Sequence, residues 1–393
     1  MKKTKSFIFF LLILLLAFCT KKQELDGFWH GELKFGNERN PVLIKFNNDS
    51  IIDFFNPFID TIIYKRSGNK IHFQNELNEE QELKISINKN ELSIWKLKSD
   101  SLFITLKKRN SKNFIYDYLN DKSMILNLPN GKGLIRTLGN NFYLDKPLYL
   151  TNKENLLIAN FMDTSVSVNS EYHKFLRSKG TYLSDFESSL EKNWISLIGD
   201  KNLKVSDINL LTKQLRLAGF SKVYYFLKSE SYEKINILPS TFRALTELDY
   251  KEYNSKIHHL RPPPPSIIDH LPNFNGELLI TKVEKNRIIV NDKILYNKDF
   301  NDYIKSKILA DNKVAIIYYI SNNSSYQNFI DFNETVYNIY YDLRDDYLEK
   351  KYNINFRDNF DSTSEEIIEV KKKYPLFFLQ IDSLEYKKIK YNL

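Results

Sequence analysis

Between residues 25 and 108 apolar residues tend to alternate with polar ones in short runs, and beyond about residue 150 that pattern gives way to another. This change of period is the strongest constraint on the fold. "ELSIWKL" shows the first pattern: Leu92 and Ile94 fall on one face, Ser93 and Trp95 on the other. "GFWHGELKF", "VLIKF", "SIIDFF", "TIIYKRS", "KIHFQ", "QELKISIN" and "SLFITLKK" are runs of the same kind. "SGNK", "NKNE" and "KSDS" supply tight turns between them. Such closely spaced strands predict a small closed antiparallel β-barrel over 25–110, because closure removes exposed edges.

Residues 111–150 read as an irregular connector containing "NLPNGKGLIRTLGNN". "NGKG" there is a turn, since it lacks the upstream glycine and the Ser or Thr that a phosphate loop places after its lysine. From 151 to 257 the order becomes β-β-α-β-α-β. "NLLIANF" and "SVSV" are strands, and "YLSDFESSLEKN" is a helix with Leu183, Phe186 and Leu190 on one face, capped by Ser184 or Thr181. "WISLIG" is a strand. A helix from Val205 follows, with Ile208, Leu211, Leu215 and Ala218 on its apolar side and Gly219 at its stop, before "KVYYFLK".

A similar order recurs over 273–393. "ELLITKVEKNRIIVN" is a hairpin turning at Lys285 and Asn286, "KDFNDYIKSKIL" a helix and "KVAIIYYIS" a strand. A long helix, "SEEIIEVKKKYP" and "LFFLQID" complete it. Two runs of matching order suggest an internal duplication. The expected class is therefore α+β multidomain, a small barrel followed by two α/β units.

Residues 1–18 read as a signal peptide, with Lys2, Lys3 and Lys5 ahead of "SFIFFLLILLLAF", a run too short for a comfortable membrane span. "LLAFC" ends it and resembles a bacterial lipobox, although Phe18 stands where a small residue is usual. Cys19, the chain's only cysteine, is then the lipid-attachment residue, and 19–24 a tether. The alternatives are an uncleaved anchor or an ordinary signal peptide. One cysteine allows neither an intrachain disulfide nor a cysteine-rich zinc site.

The formal charge is +8, with basic and acidic residues interspersed. That is a solvated surface and gives no nucleic-acid footprint. "HHLRPPPPSIIDH" offers His258, His259, Asp269 and His270 as metal ligands. Its four prolines stiffen the segment and hold the two groups apart, so 258–272 reads as a linker. His30, His72 and His173 stand alone. Asp200, in "LIGDKN", lies at a strand's carboxyl end but reads as a helix-approach turn. No constellation for acid–base or nucleophilic work emerges, so no catalytic residue, metal or cofactor is expected.

Three residues of the barrel segment, Gly27, Phe28 and Trp29 in "LDGFWHGEL", resemble the Gly-x-Trp opening of lipocalin-like proteins. The resemblance implies that Trp29 plugs one barrel end under a basic residue of the last strand, Lys107, Lys108 or Arg109. It also implies a small apolar ligand, though strands this short can be filled by their own side chains. The two α/β units are similar to the periplasmic domain of the ExbD and TolR family, accessory proteins of proton-driven envelope transducers. "VEKNRIIVNDK", Val283–Lys293, matches that family's hairpin, and Leu197–Phe226 its aspartate turn, helix and final strand. The family's proton-conducting transmembrane aspartate has no counterpart in residues 1–18, so that role is not implied. In the second unit the aspartate turn becomes "ISNNSSY" and the final "AG" is missing.

These features together point to a lipoprotein on the periplasmic face of the outer membrane of a Gram-negative bacterium. Its expected work is non-enzymatic binding or scaffolding, accessory to a TonB- or Tol-type system, with an envelope protein or peptidoglycan as partner. Pairing of two copies is a further option. The alternative is a lipid or small-molecule carrier built on the barrel.

Overall fold

The computed structural model describes residues 25–35, 38–53, 61–74, 79–96, 102–109, 126–137, 147–161, 164–180, 194–220, 222–229, 234–241, 274–284, 287–311, 313–360 and 362–392. The signal segment, Cys19, the helix expected over 182–193, the turn "KSDS" and the proline-rich linker lie outside these residues. The chain divides into two compact units, residues 1–112 with 137–142, and 113–136 with 143–393.

In the first unit eight strands form a closed antiparallel barrel. They are β1 (Gly27–Phe35), β2 (Glu38–Asn47), β3 (Ser50–Asp53), β4 (Ile62–Ser67), β5 (Lys70–Gln74), β6 (Glu80–Asn88), β7 (Glu91–Lys96) and β8 (Leu102–Arg109). Each follows the alternation in its sequence. β1 closes on β8 with Trp29 opposite Lys108 and Gly31 opposite Leu106. The closure needs Gly31, since a Cβ there would sit 2.5 Å from the Thr105 carbonyl oxygen. Inside, Trp29, Phe46, Tyr64, Ile71, Ile85, Leu92, Ile104 and Leu106 form one buried cluster. Trp29 donates its indole N–H to the Leu25 carbonyl at 2.6 Å. Lys108 Nζ stands 5.4 Å from the Trp29 ring centroid, so of the three basic residues considered, Lys108 covers the tryptophan.

The second unit holds two mixed sheets. The first has the order β12-β11-β10-β13-β14-β15-β9. Its strands are β9 (Leu134–Thr137), β10 (Pro147–Lys153), β11 (Leu156–Phe161), β12 (Thr164–Ser167), β13 (Trp194–Gly199), β14 (Lys222–Leu227) and β15 (Lys234–Thr241). Helices α1 (Tyr172–Gly180) and α2 (Val205–Leu217) belong to it. The second has the order β18-β17-β16-β19-β20, with β16 (Glu277–Glu284), β17 (Arg287–Val290), β18 (Lys293–Leu295), β19 (Val314–Ile320) and β20 (Phe377–Gln380). Its helices are α3 (Asn297–Ala310), α4 (Tyr326–Tyr352), α5 (Glu365–Lys373) and α6 (Ser383–Asn392).

Several elements differ from the sequence reading. β9 falls in the segment read as an irregular connector; four residues carry too little alternation to announce a strand. Helix α1 was not anticipated, and its buried side is short, with Tyr172, His173 and Leu176. Helix α6 follows the strand expected to end the fold.

The duplication is visible in strand register. With Gly199 aligned to Ile320, Ser196 corresponds to Ile317. Ser196 lies opposite Pro147 and Tyr224, and Ile317 opposite Ile280 and Leu379. Leu148 then corresponds to Thr281, and their partners Phe161 and Val290 take corresponding places. Phe161 in turn pairs with Thr164 as Val290 pairs with Lys293. Five strands therefore pair in the same register in each half.

The halves meet through reciprocal backbone bonds at the starts of α2 and α4. Val205 N–H donates to the Ser324 carbonyl at 2.8 Å, and Tyr326 N–H to that of Leu203 at 2.6 Å. Ser206 N–H donates to Asn322 at 3.1 Å, and Gln327 N–H to Lys201 at 3.1 Å. Corresponding residues exchange roles in both pairs, as at a two-fold interface.

Helix α4 packs on both halves. Phe329 meets Tyr225 of the first, ring centroids 5.4 Å apart, and Phe332 meets Tyr318 and Phe300 of the second at 5.0 and 5.6 Å. Asn333 accepts from the Tyr318 hydroxyl at 2.9 Å and donates to the Phe329 carbonyl at 2.7 Å. Truncating a buried aromatic at such a junction loses transfer energy and leaves a cavity. Phe329→Ala is expected to destabilise this unit by about 3–5 kcal/mol, measured by urea unfolding of the full chain.

Candidate functional site

Side chains of the five-stranded sheet alternate between two layers. On β19, Tyr318 points to α4, while Ile317 and Tyr319 point to the other face. There α6 covers part of the sheet through Ile389 and Tyr386, with Tyr319 and Tyr386 rings 5.5 Å apart. The rest of that face is a groove of about 1050 Å³.

The groove's floor is Ile289 of β17, Ile294 of β18 and Tyr319 of β19. One wall is α6, with Tyr386, Lys387, Lys390 and Tyr391. The end wall is the polar turn after β19, with Ser321, Asn323 and Ser324, running into Ser325 and Asn328 at the start of α4. Ser325 caps α4 by accepting the Asn328 N–H at 3.2 Å. Several charges at the rim are paired. Lys282 lies 2.7 Å and Arg287 2.5 Å from Glu284, and Lys390 lies 2.6 Å from Asp292. Hydrogen bonds from Lys282 and Arg287 hold the Glu284 carboxyl below its ordinary range. The hydrogen bond to Asp292 raises Lys390. These shifts come from ion pairing at a surface, which fixes charges rather than poising a proton for transfer. An apolar floor with aromatic walls and fixed polar groups is the composition that ligand-binding surfaces have.

Of the residues singled out in the sequence, those that the structure describes are not brought together. His30 is buried in β1 and accepts at Nδ1 from Arg109 Nε at 2.9 Å. His72, on β5, has Nδ1 3.4 Å from Glu82. His173, buried on α1, has Nδ1 2.8 Å from the Gln214 side-chain oxygen. Asp200 accepts the Asn127 N–H at 2.9 Å and the Asn202 N–H at 2.8 Å, so its carboxylate braces the turn before α2. His258, His259, Asp269 and His270 lie outside the described residues. Among the described residues no group of three or more His, Cys, Asp or Glu could hold a metal ion, and no helix is long and apolar enough to cross a membrane.

"NGKG" does receive an anion, but it is the chain's own. Lys132 and Gly133 donate their backbone N–H groups to Glu334 of α4 at 2.6 and 2.8 Å. Gly133 has φ +51°, and a Cβ there would stand 2.4 Å from the Ile237 carbonyl oxygen.

The groove itself was missed, because its residues come from six separate elements and the turns between them. The hydroxyl- and amide-rich turn "SNNSSY" was the one local signal. No protein-family model matches this sequence, and no curated protein matches it.

The Glu284 carboxyl is expected to titrate below the ordinary glutamate range near 4.5. In Lys282→Gln it should move up toward that range, read by carbon-13 NMR of the side-chain carboxyl.

Proposed function

We propose that this chain is a cell-envelope lipoprotein, attached to the membrane through Cys19, that works as a non-enzymatic binding scaffold. Its place is the periplasmic face of the outer membrane of a Gram-negative bacterium. The two α/β halves resemble ExbD/TolR periplasmic domains, and the partner is an envelope protein of a TonB- or Tol-type system, or peptidoglycan. The observation that carries the binding role is the groove on the five-stranded sheet, with an apolar floor and several paired charges at its rim. Such a surface offers contact area and fixed hydrogen-bonding groups, which recognition needs.

The reciprocal join between the halves supports the same reading. Pairing of like domains, which the family resemblance implies, is met within one chain. The α/β unit therefore works without a second copy in this reading. The carrier alternative draws on the barrel, where Lys108 covers Trp29. Against it, the interior side chains Trp29, Leu92 and Leu106 have no exposed surface and pack with their neighbours.

Crosslinking in intact cells, followed by mass spectrometry, tests the scaffold against a Cys19→Ala control. TonB-like or proton-channel components, or peptidoglycan fragments, should be recovered with the native chain and lost with the control. Recovery of bulk envelope protein alone would count against the scaffold and favour a search for lipid in the barrel.

A further inference from the structure

Strands β16, β19 and β20 are parallel, with Glu277 opposite Val314 and Ala315 opposite Phe377, so they begin at one end of the five-stranded sheet. At that end Phe274, just ahead of β16, meets Phe377, the first residue of β20, with ring centroids 5.6 Å apart. Gly276 permits the approach, since a Cβ there would stand 2.1 Å from the Lys313 carbonyl oxygen and 2.7 Å from the Phe274 ring. Ile368 of α5 and Pro375 complete the floor of an open bowl of about 520 Å³.

Water reaches this floor: Phe377 is 44% exposed and Ile368 42%. Large apolar side chains left exposed in one patch mark a contact surface. The rim is basic, with Lys313 ahead of β19 and Lys371 and Lys372 in the last turn of α5. Lys371 donates to the Phe360 carbonyl at 3.0 Å. The Lys313 and Lys372 ammonium groups meet no carboxylate and no ring among the described residues. Glu277, at the same end of the sheet, is engaged by Lys307 at 2.6 Å, and Asp311 accepts the Lys313 backbone N–H at 2.9 Å.

The lining also lacks something. No hydroxyl, amide or carboxylate side chain is among the described residues that line the bowl. A protein partner is oriented by such groups. A fluid bilayer needs none. It takes apolar side chains at the boundary of its acyl chains and meets ammonium groups at its phosphates, which lysine reaches on a long apolar stem.

We propose that the bowl docks on the surface of an anionic phospholipid bilayer, with Phe377 and Ile368 inserted at the level of the headgroups and Lys313 and Lys372 on lipid phosphates. The contact is additional to the Cys19 anchor. It rests on the reading that holds the chain at a membrane, where even a weak patch is kept close to its lipid. Docking also sets an orientation. The polar turn that ends the groove follows β19 at the opposite end of the sheet, roughly 20 Å away along the seven residues of that strand. A unit seated on the bowl therefore turns the groove's end wall away from the bilayer, toward the aqueous side.

The processed chain, residues 19–393 carrying Cys19→Ala, can be titrated with vesicles of phosphatidylcholine alone and of phosphatidylcholine mixed with phosphatidylglycerol, so that neither signal segment nor acyl chain contributes. The mixed vesicles should bind at least about tenfold tighter, and less so as salt rises. Hydrogen exchange should slow over residues 368–377 on these vesicles. Lys313→Gln with Lys372→Gln should weaken binding about tenfold with an unchanged unfolding midpoint, and Ile368→Gln about fivefold. An equal charge change on α6, Lys387→Gln with Lys388→Gln, should leave binding as it was. Equal losses from the two lysine pairs would reduce the effect to net charge and overturn the proposal. So would equal binding to both kinds of vesicle, or binding of poly-glutamate as tight as that of the mixed vesicles, which would make an acidic protein the occupant. Protection of 368–377 that grows with protein concentration in the absence of vesicles would overturn it in favour of a second copy. The assay uses no anchor and no crosslinked partner, so its failure leaves the Cys19 and scaffold readings standing.

Discussion

Four backbone hydrogen bonds in two reciprocal pairs set the geometry of the α/β unit. The first N–H groups of a helix have no partner within it. Here Val205 and Ser206 of α2 find theirs in the turn that precedes α4, and Tyr326 and Gln327 of α4 find theirs in the turn that precedes α2. Each half completes the helix start of the other. Unsatisfied, these groups would carry a desolvation penalty of about 1–3 kcal/mol apiece where they are buried. The join therefore fixes how β13 and β19 approach. The long buried sides of α4 then follow, because a helix anchored at that point must meet β14 of one sheet and β19 of the other.

Reciprocity at the join does not extend to the surroundings, and the departures are where the groove arises. The first sheet is widened by β15 and β9, which α4 holds through Tyr337 and Glu334. The second sheet has gained α5 before β20 and α6 after it. Helix α6 lies on the face opposite α4, and its partial cover turns a flat sheet into a groove. A duplicated unit whose copies were equally furnished would not present a groove on one sheet alone.

How much of this was legible depended on range. The barrel followed from alternation, since a period of two survives in residues such as Leu92 and Ile94 whatever lies across from them. Helix α2 was bounded at Val205, where it begins, by local signals, and its end by Gly219, φ +99°, just beyond. The order of elements exposed the duplication, although its sharpest mark, shared register, could not be read. Register depends on which residues lie opposite, and Ser196 and Ile317 have little in common as side chains. α6 stayed hidden for a different reason: its apolar residues are few, and Leu384 and Tyr391 remain exposed. The groove was invisible because it gathers residues far apart in the chain. Asp200 was read as a turn residue on its spacing, and the two N–H groups it accepts give that position its physical account.

Four tyrosines and one carboxylate of this unit have charge states that the fold fixes. Tyr225, Tyr318, Tyr326 and Tyr341 are buried, and desolvation pushes their hydroxyls far above the ordinary phenol range. They stay neutral wherever the chain is folded. Glu369, which ties α5 to Lys351, Tyr347 and Tyr352 of α4, is held down to about 2 by those hydrogen bonds. A carboxylate lowered in the fold contributes its stability above its unfolded value near 4.5, and loses it only as pH falls toward 2. These tyrosines and this carboxylate therefore keep one charge state around neutral pH. A frame whose aromatic centre cannot ionise, and whose helix brace stays charged, keeps its packing as pH moves around neutrality.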